Sequence, residues 1–147
     1  MAAKTRPGRN RARRCAMQAT YQGLMTGQTY TEISRQFHQL GYLDGADQDY
    51  FDGLLQEIHR RRDDLDELID RFADRPRDQI NPVEHSTLLV ALAELAARID
   101  VPYRVVIDEA IKMSRRYGSN DAHRYINAVV DRAAKELRAP EYGRPRP

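Results

Sequence analysis

Four histidines, one cysteine and 22 carboxylates are the groups in this 147-residue chain that could support acid–base, nucleophilic or metal chemistry. Their spacing assembles none of it. His38, His59, His85 and His123 all lack a carboxylate three residues upstream, so the Glu-x-x-His pairs of helical di-metal sites are missing. No CxxC, HExxH, GxGxxG or phosphate-loop pattern occurs. Cys15 stands among Arg11, Arg13 and Arg14, whose charge would favour a thiolate. A single cysteine in a helix more commonly serves as a small packed residue, and that is how we read it. The expectation is a non-enzyme with no catalytic residue, no metal and no cofactor.

The residues that do cluster are cationic. Lys4, Arg6, Arg9, Arg11, Arg13 and Arg14 precede every acid, the first of which is Glu32. The remaining 18 basic residues face 22 acidic ones, so a basic start leads into a mildly acidic body. Guanidinium groups bind phosphate through paired N–H donors, with an affinity that falls as salt rises. The plainer alternative is a solvated tail. Single-stranded RNA also needs aromatic faces for its bases. Tyr21 reads as a core or inter-half contact, whereas Tyr125 is open to either role. Asp121 reads as a helix cap. Were it to face RNA, it would repel phosphate or accept from a base amine.

The elements that must position these groups are helical. Apolar residues recur at helical spacing and no alternating strand pattern appears. A first helix is predicted over 9–25. At about 100° per residue it places Ala12, Ala16, Ala19 and Gly23 on one stripe, with Arg11, Arg14, Gln18 and Tyr21 opposite. A short helix follows over 29–40. A long one is expected over 48–72; the polar run HRRRDD inside it is either a break or, the reading preferred, a solvated stretch. Asn81-Pro82-Val83-Glu84 forms a helix start in which Asn81 caps and Glu84 reaches back to the cap amide. The helix it opens is apolar nearly all round, which predicts central burial. The next helix, from Asp100 and Pro102, is expected to end at Gly118 as a left-handed cap. Ser119 or Asp121 is expected to cap the last helix, which buries Ile126, Val129, Val130, Ala133 and Leu137. The predicted fold is all-α, a bundle of about seven helices in two small subdomains. Its parts are a flexible basic arm (1–8), an N-terminal subdomain (9–75), a C-terminal subdomain (76–138) and a disordered tail (139–147).

At this point the motifs carry a resemblance. RARRCAMQATYQ resembles the opening helix of the NusB transcription antitermination factor family. Asp100-Val101-Pro102-Tyr103, Tyr117-Gly118, Asp121-Ala122-His123-Arg124-Tyr125 and Asn127-Ala128-Val129-Val130-Asp131 are similar to that family's DVPY, FG, DSHKF and NGVLD segments, in the same order. LLVALAEL is similar to its central helix, with Leu89 and Ala93 where the family usually carries arginine and tyrosine. Ala128 stands in place of the family's glycine. The resemblance implies a factor that pairs with NusE, a small-subunit ribosomal protein, and binds boxA RNA in nascent ribosomal leaders. Other Nus factors and RNA polymerase complete the larger assembly. Carried over by position, Arg9, Arg11, Arg13 and Arg14 touch RNA phosphates, and Asp121 and Tyr125 lie on the RNA-facing surface. Asp78 and Glu84 face the basic NusE.

No apolar run approaches the roughly 20 residues of a membrane span. The basic start has no apolar segment behind it, so a secretory signal is not expected and the cytoplasm is. The competing reading is a helical adaptor that binds only protein, with its arginines as a charged tail.

Overall fold

The helix without a polar face, α5 (Pro82–Ala97), runs through the centre of the protein. Around it lie α1 (Arg9–Thr26), α2 (Tyr30–Gln39), α3 (Gln48–Arg60), α4 (Arg62–Phe72), α6 (Tyr103–Tyr117) and α7 (Ala122–Leu137), with a 3-10 turn at Arg77–Gln79 before α5. The computed structural model describes residues 7–142, and no strand occurs among them. Helix α5 packs on α1, α3, α4, α6 and α7, and every one of its residues from Ser86 to Leu95 is buried. Removing Leu88, Leu89 and Leu92 from water stabilises the fold by about 1.5–3 kcal/mol each. One apolar cluster extends from Ala12 in α1 to Ala134 in α7.

Both ends of α5 are closed by side chains. Asn81 Oδ1 accepts from the Val83 amide at 2.8 Å, and Pro82 occupies the first turn, as predicted. At the other end the buried Arg138 reaches in from beyond α7. Its guanidinium donates to the carbonyls of Leu95, Arg98 and Val101, each at 2.8 Å. Carbonyls left over at a helix end need such donors once they are buried. Ala12, Ala16 and Ala19 are buried where α1 lies along α5, and these small side chains let two backbones approach. The amphipathic α7 buries Ile126, Val129, Val130 and Ala133 as predicted, with Leu137 partly buried.

Several sequence expectations are corrected. The segment expected as one helix over 48–72 is two, because Arg61 leaves helical geometry (φ −104°, ψ 11°). His59 and Arg60 close α3 at its negative end, and Asp63 and Asp64 open α4 at its positive end, so the charges in HRRRDD complement two helix dipoles. Gly118 is extended (φ −93°, ψ −177°) and is no left-handed cap. Its need for glycine is space: a Cβ there would come within 2.7 Å of the Ser114 carbonyl oxygen. Neither proposed cap of α7 makes its bond. Asp121 holds the N-cap position without a side-chain hydrogen bond to the helix, and the Ser119 hydroxyl donates to Glu84 instead, at 2.9 Å.

Both ends make contacts with the helices where they are described. Gly8, assigned to the flexible arm, has φ +82°, and its carbonyl accepts from the Asp47 amide at 3.0 Å. Residues 1–6, with Lys4 and Arg6, lie outside the described residues, as do 143–147. Within the expected tail, Glu141 accepts from the Tyr103 amide at 2.8 Å and so caps α6, and the Tyr142 hydroxyl donates to Asp131.

Candidate nucleic-acid interface

Arginines three or four apart on a helix share a face, and those one or two apart do not. Helix α1 therefore sorts its arginines into two sets. Arg9 and Arg13 point inward, Arg13 with 1% of its surface exposed. Its Nε donates to both Glu94 carboxylate oxygens at 2.9 Å, Nη2 donates to Oε2 at 2.7 Å, and Nη1 donates to Asn10 Oδ1 at 2.7 Å. The Tyr50 hydroxyl also donates to Glu94. Burial works to lower the Arg13 pKa, but the hydrogen bonds and charge of Glu94 prevail and raise it. Tyr50 is pushed up by burial first and by the Glu94 charge second. The Arg9 guanidinium lies 4.3 Å from the Tyr50 ring centre, with Asp100 at 3.5 Å. Arg98 lies against the same ring at 4.7 Å. Arg9 and Arg13 thus join α1 to α3, α5 and the α5–α6 turn. Both were expected as phosphate contacts; here their guanidiniums are enclosed by protein.

Arg11, Arg14 and Gln18 form the outward set, with Arg11 and Gln18 exposed and Arg14 half-buried. Among the described residues no carboxylate pairs with Arg11 or Arg14. They border a groove of about 420 Å³ closed by Phe37, by Gly41 and Tyr42 in the turn after α2, and by Arg116 and Tyr117 at the end of α6. Cys15 lies in its wall, buried, and its Sγ donates to the Tyr42 carbonyl at 3.6 Å. Burial raises the thiol pKa against the opposing pull of Arg11 and Arg14, which agrees with a structural cysteine. Among the described residues no acid lines the groove. A surface of this kind attracts anions and offers flat aromatic contact. A smaller, mostly apolar hollow of about 230 Å³ lies between α1, α2 and α3. Its one arginine, Arg62, is bonded to Asp66.

The corner after α6 holds the other predicted site residues. Asp121 is exposed. Tyr125 is half-buried against the core, with its hydroxyl enclosed and unpartnered, and the Arg75 guanidinium covers its ring at 4.7 Å. Burial, then the Glu84 charge, raises its pKa. Tyr125 is therefore no open stacking platform in this structure. Tyr21, expected as a core or inter-half contact, is 36% exposed. Of the acids assigned to a basic partner, Asp78 is exposed on the 3-10 turn, but Glu84 is only 5% exposed and is bonded to Ser119. Sequence reasoning missed Tyr42 and Arg116 as part of the cationic face. The signal for Arg116 was its place in an Arg-Arg-Tyr run, whereas nothing in GYLDG tied Tyr42 to α1. Among the described residues no group of three or more His, Cys, Asp or Glu side chains could hold a metal ion, and no helix is long and apolar enough to cross a membrane.

Comparison with known proteins gives one answer at three levels. Residues 10–135 match the NusB family. The "Transcription antitermination protein NusB" of Halorhodospira halophila is 45% identical over 137 residues, covering 92% of this chain and 88% of that protein. Its namesake from Stenotrophomonas maltophilia strain R551-3 is 42% identical over 135 residues, covering 92% and 85%. The solved structure of T. maritima NusB superposes with a TM-score of 0.75 at 26% identity, over 91% of this chain and 94% of that one. The central apolar helix, the two-sided arginine helix and these matches agree, and the chain belongs to the NusB family of transcription antitermination proteins.

Proposed function

We propose that this protein binds boxA RNA in nascent ribosomal leaders, paired with the ribosomal protein NusE. Together with other Nus factors it keeps RNA polymerase transcribing past terminators in the cytoplasm. The observation that carries the reading is the outward face of α1, where Arg11 and Arg14 meet a groove without acids. Two or three phosphate contacts give weak, salt-sensitive and sequence-blind binding. A partner protein that extends the surface adds the contacts and the selectivity a domain of this size lacks. Asp78, exposed and without an ion-pair partner among the described residues, is the acid we assign to the basic partner. Asp121 is assigned to the RNA side as a local repulsive charge.

The test is fluorescence anisotropy with labelled boxA RNA and a scrambled RNA at near-physiological salt, with and without NusE. Selective binding that strengthens with NusE is the expected result. Binding that is weak, indifferent to sequence and unchanged by NusE would refute it in favour of an adaptor that binds protein alone.

A further inference from the structure

Phosphate contacts position an RNA strand but do not read it. The groove beside α1 contains something that can. Tyr42 is 51% exposed, whereas Tyr50 and Tyr103 are buried. It is nevertheless held firmly. Its ring meets Phe37 edge to face (5.2 Å, 84°), its amide donates to the Phe37 carbonyl at 3.2 Å, and its own carbonyl accepts from Cys15. Gly41, at φ +75°, makes the turn that presents it. A rigid, half-exposed aromatic loses little entropy on receiving a flat partner.

The charges around it come from two distant parts of the chain. Arg11 and Arg14 stand on α1 and Arg116 at the end of α6, none with a carboxylate partner among the described residues. Gln18 adds an exposed amide, which can both donate to and accept from a base edge. A ligand matching this wall has an aromatic plane flanked on both sides by anions. An acidic peptide would satisfy the arginines and leave Tyr42 unused. We propose that the groove is a slot for one unpaired nucleobase of the bound RNA, stacked on Tyr42, with Arg11 and Arg14 holding one neighbouring phosphate and Arg116 the other. This rests on the RNA-binding reading above and adds to it a base contact and a contribution from α6.

The test uses the full chain with NusE and labelled boxA RNA, plus a series of boxA oligomers each abasic at one position. Tyr42→Ala is expected to weaken binding about 5- to 150-fold, the range for loss of one base–aromatic stack. Tyr42→Leu still covers Phe37 but has no aromatic face, and should weaken it comparably. Tyr42→Phe should bind like the unaltered protein. Arg116→Gln should lower the slope of log affinity against log salt by about one contact. At one RNA position the abasic lesion should cost the unaltered protein a similar factor and cost Tyr42→Leu nothing further, because lesion and substitution remove the same contact. Unchanged binding by Tyr42→Leu, or no abasic position coupled to it, overturns the slot. If Arg11→Ala and Arg14→Ala still flatten the salt slope in that case, the RNA-binding reading survives alone. If the unaltered protein does not prefer boxA, both fall. Competition by uridine or adenosine monophosphate as effective as by the oligomer would make the groove a free-nucleotide site and also overturn the proposal.

Discussion

Replacing Arg13 with methionine separates a structural arginine from an RNA-binding one more sharply than any other change. Methionine fills much of the same volume but leaves the Glu94 carboxylate without its main partner. Glu94 is 1% exposed and keeps only the Tyr50 hydroxyl. Removing one member of a buried ion pair costs about 3–5 kcal/mol, because the remaining charge is neither solvated nor paired. For a domain of this size that lowers the melting temperature by roughly 6–20 °C. The double change Arg13→Met with Glu94→Gln removes both charges of this pair and keeps an acceptor for Tyr50, so it should recover about 2 kcal/mol or more of the loss. Urea denaturation of the unaltered protein and the two variants, read by circular dichroism, gives both energies. RNA binding measured well below each melting temperature should keep the salt slope of the unaltered protein. An Arg13→Met variant of normal stability whose slope has fallen by about one would mean instead that the guanidinium leaves Glu94 to meet phosphate.

Three further expectations come from the same structure. Arg11→Ala and Arg14→Ala should each reduce the salt slope of RNA binding by about one. Their folding stability, by urea titration, should stay within about 0.5 kcal/mol, as for surface substitutions without packed partners. Asp121→Asn should tighten RNA binding with no change in helical circular dichroism, because the carboxylate makes no cap bond; weaker binding would show that it accepts from a base. Asp66 is buried, which alone would raise its pKa, but hydrogen bonds from His85 and Arg62 and the charge of Arg62 hold it below the usual carboxylate range. A carboxyl depressed on folding adds stability that is complete above its unfolded pKa of about 3.9 and is lost as pH falls through the folded value. The urea midpoint should therefore drop with acidification below about pH 4, and drop less steeply in Asp66→Asn. Parallel pH profiles would remove Asp66 from the acid transition.

The all-helical class, the central helix and the capping role of Asn81 were legible in the sequence by itself. They follow from local physics, namely apolar spacing at the helical period, an uninterrupted apolar stretch, and an Asn-Pro start. The division of α1 into a small-residue face and an Arg11–Arg14–Gln18 face was equally legible, since both arise within one helix. The family could be named because its motifs occur in order along the chain. The break at Arg61 was encoded, in basic residues followed directly by acids, but a helix that continues and one that restarts differ by a single residue's torsion.

Which arginines are enclosed and which face outward could be seen only in the folded chain. Arg9, Arg11, Arg13 and Arg14 are alike in composition and lie within six positions. Arg13 is internal because Glu94, 81 residues away, sits opposite it, and Arg9 because Tyr50 offers it a ring face. The same distance effect set Ser119 against Glu84, laid Arg75 across Tyr125, and brought Tyr42 and Arg116 to the groove beside Arg14. A charged side chain takes the role set by the partner that the fold places within a few ångströms of it, and those partners belong to other helices.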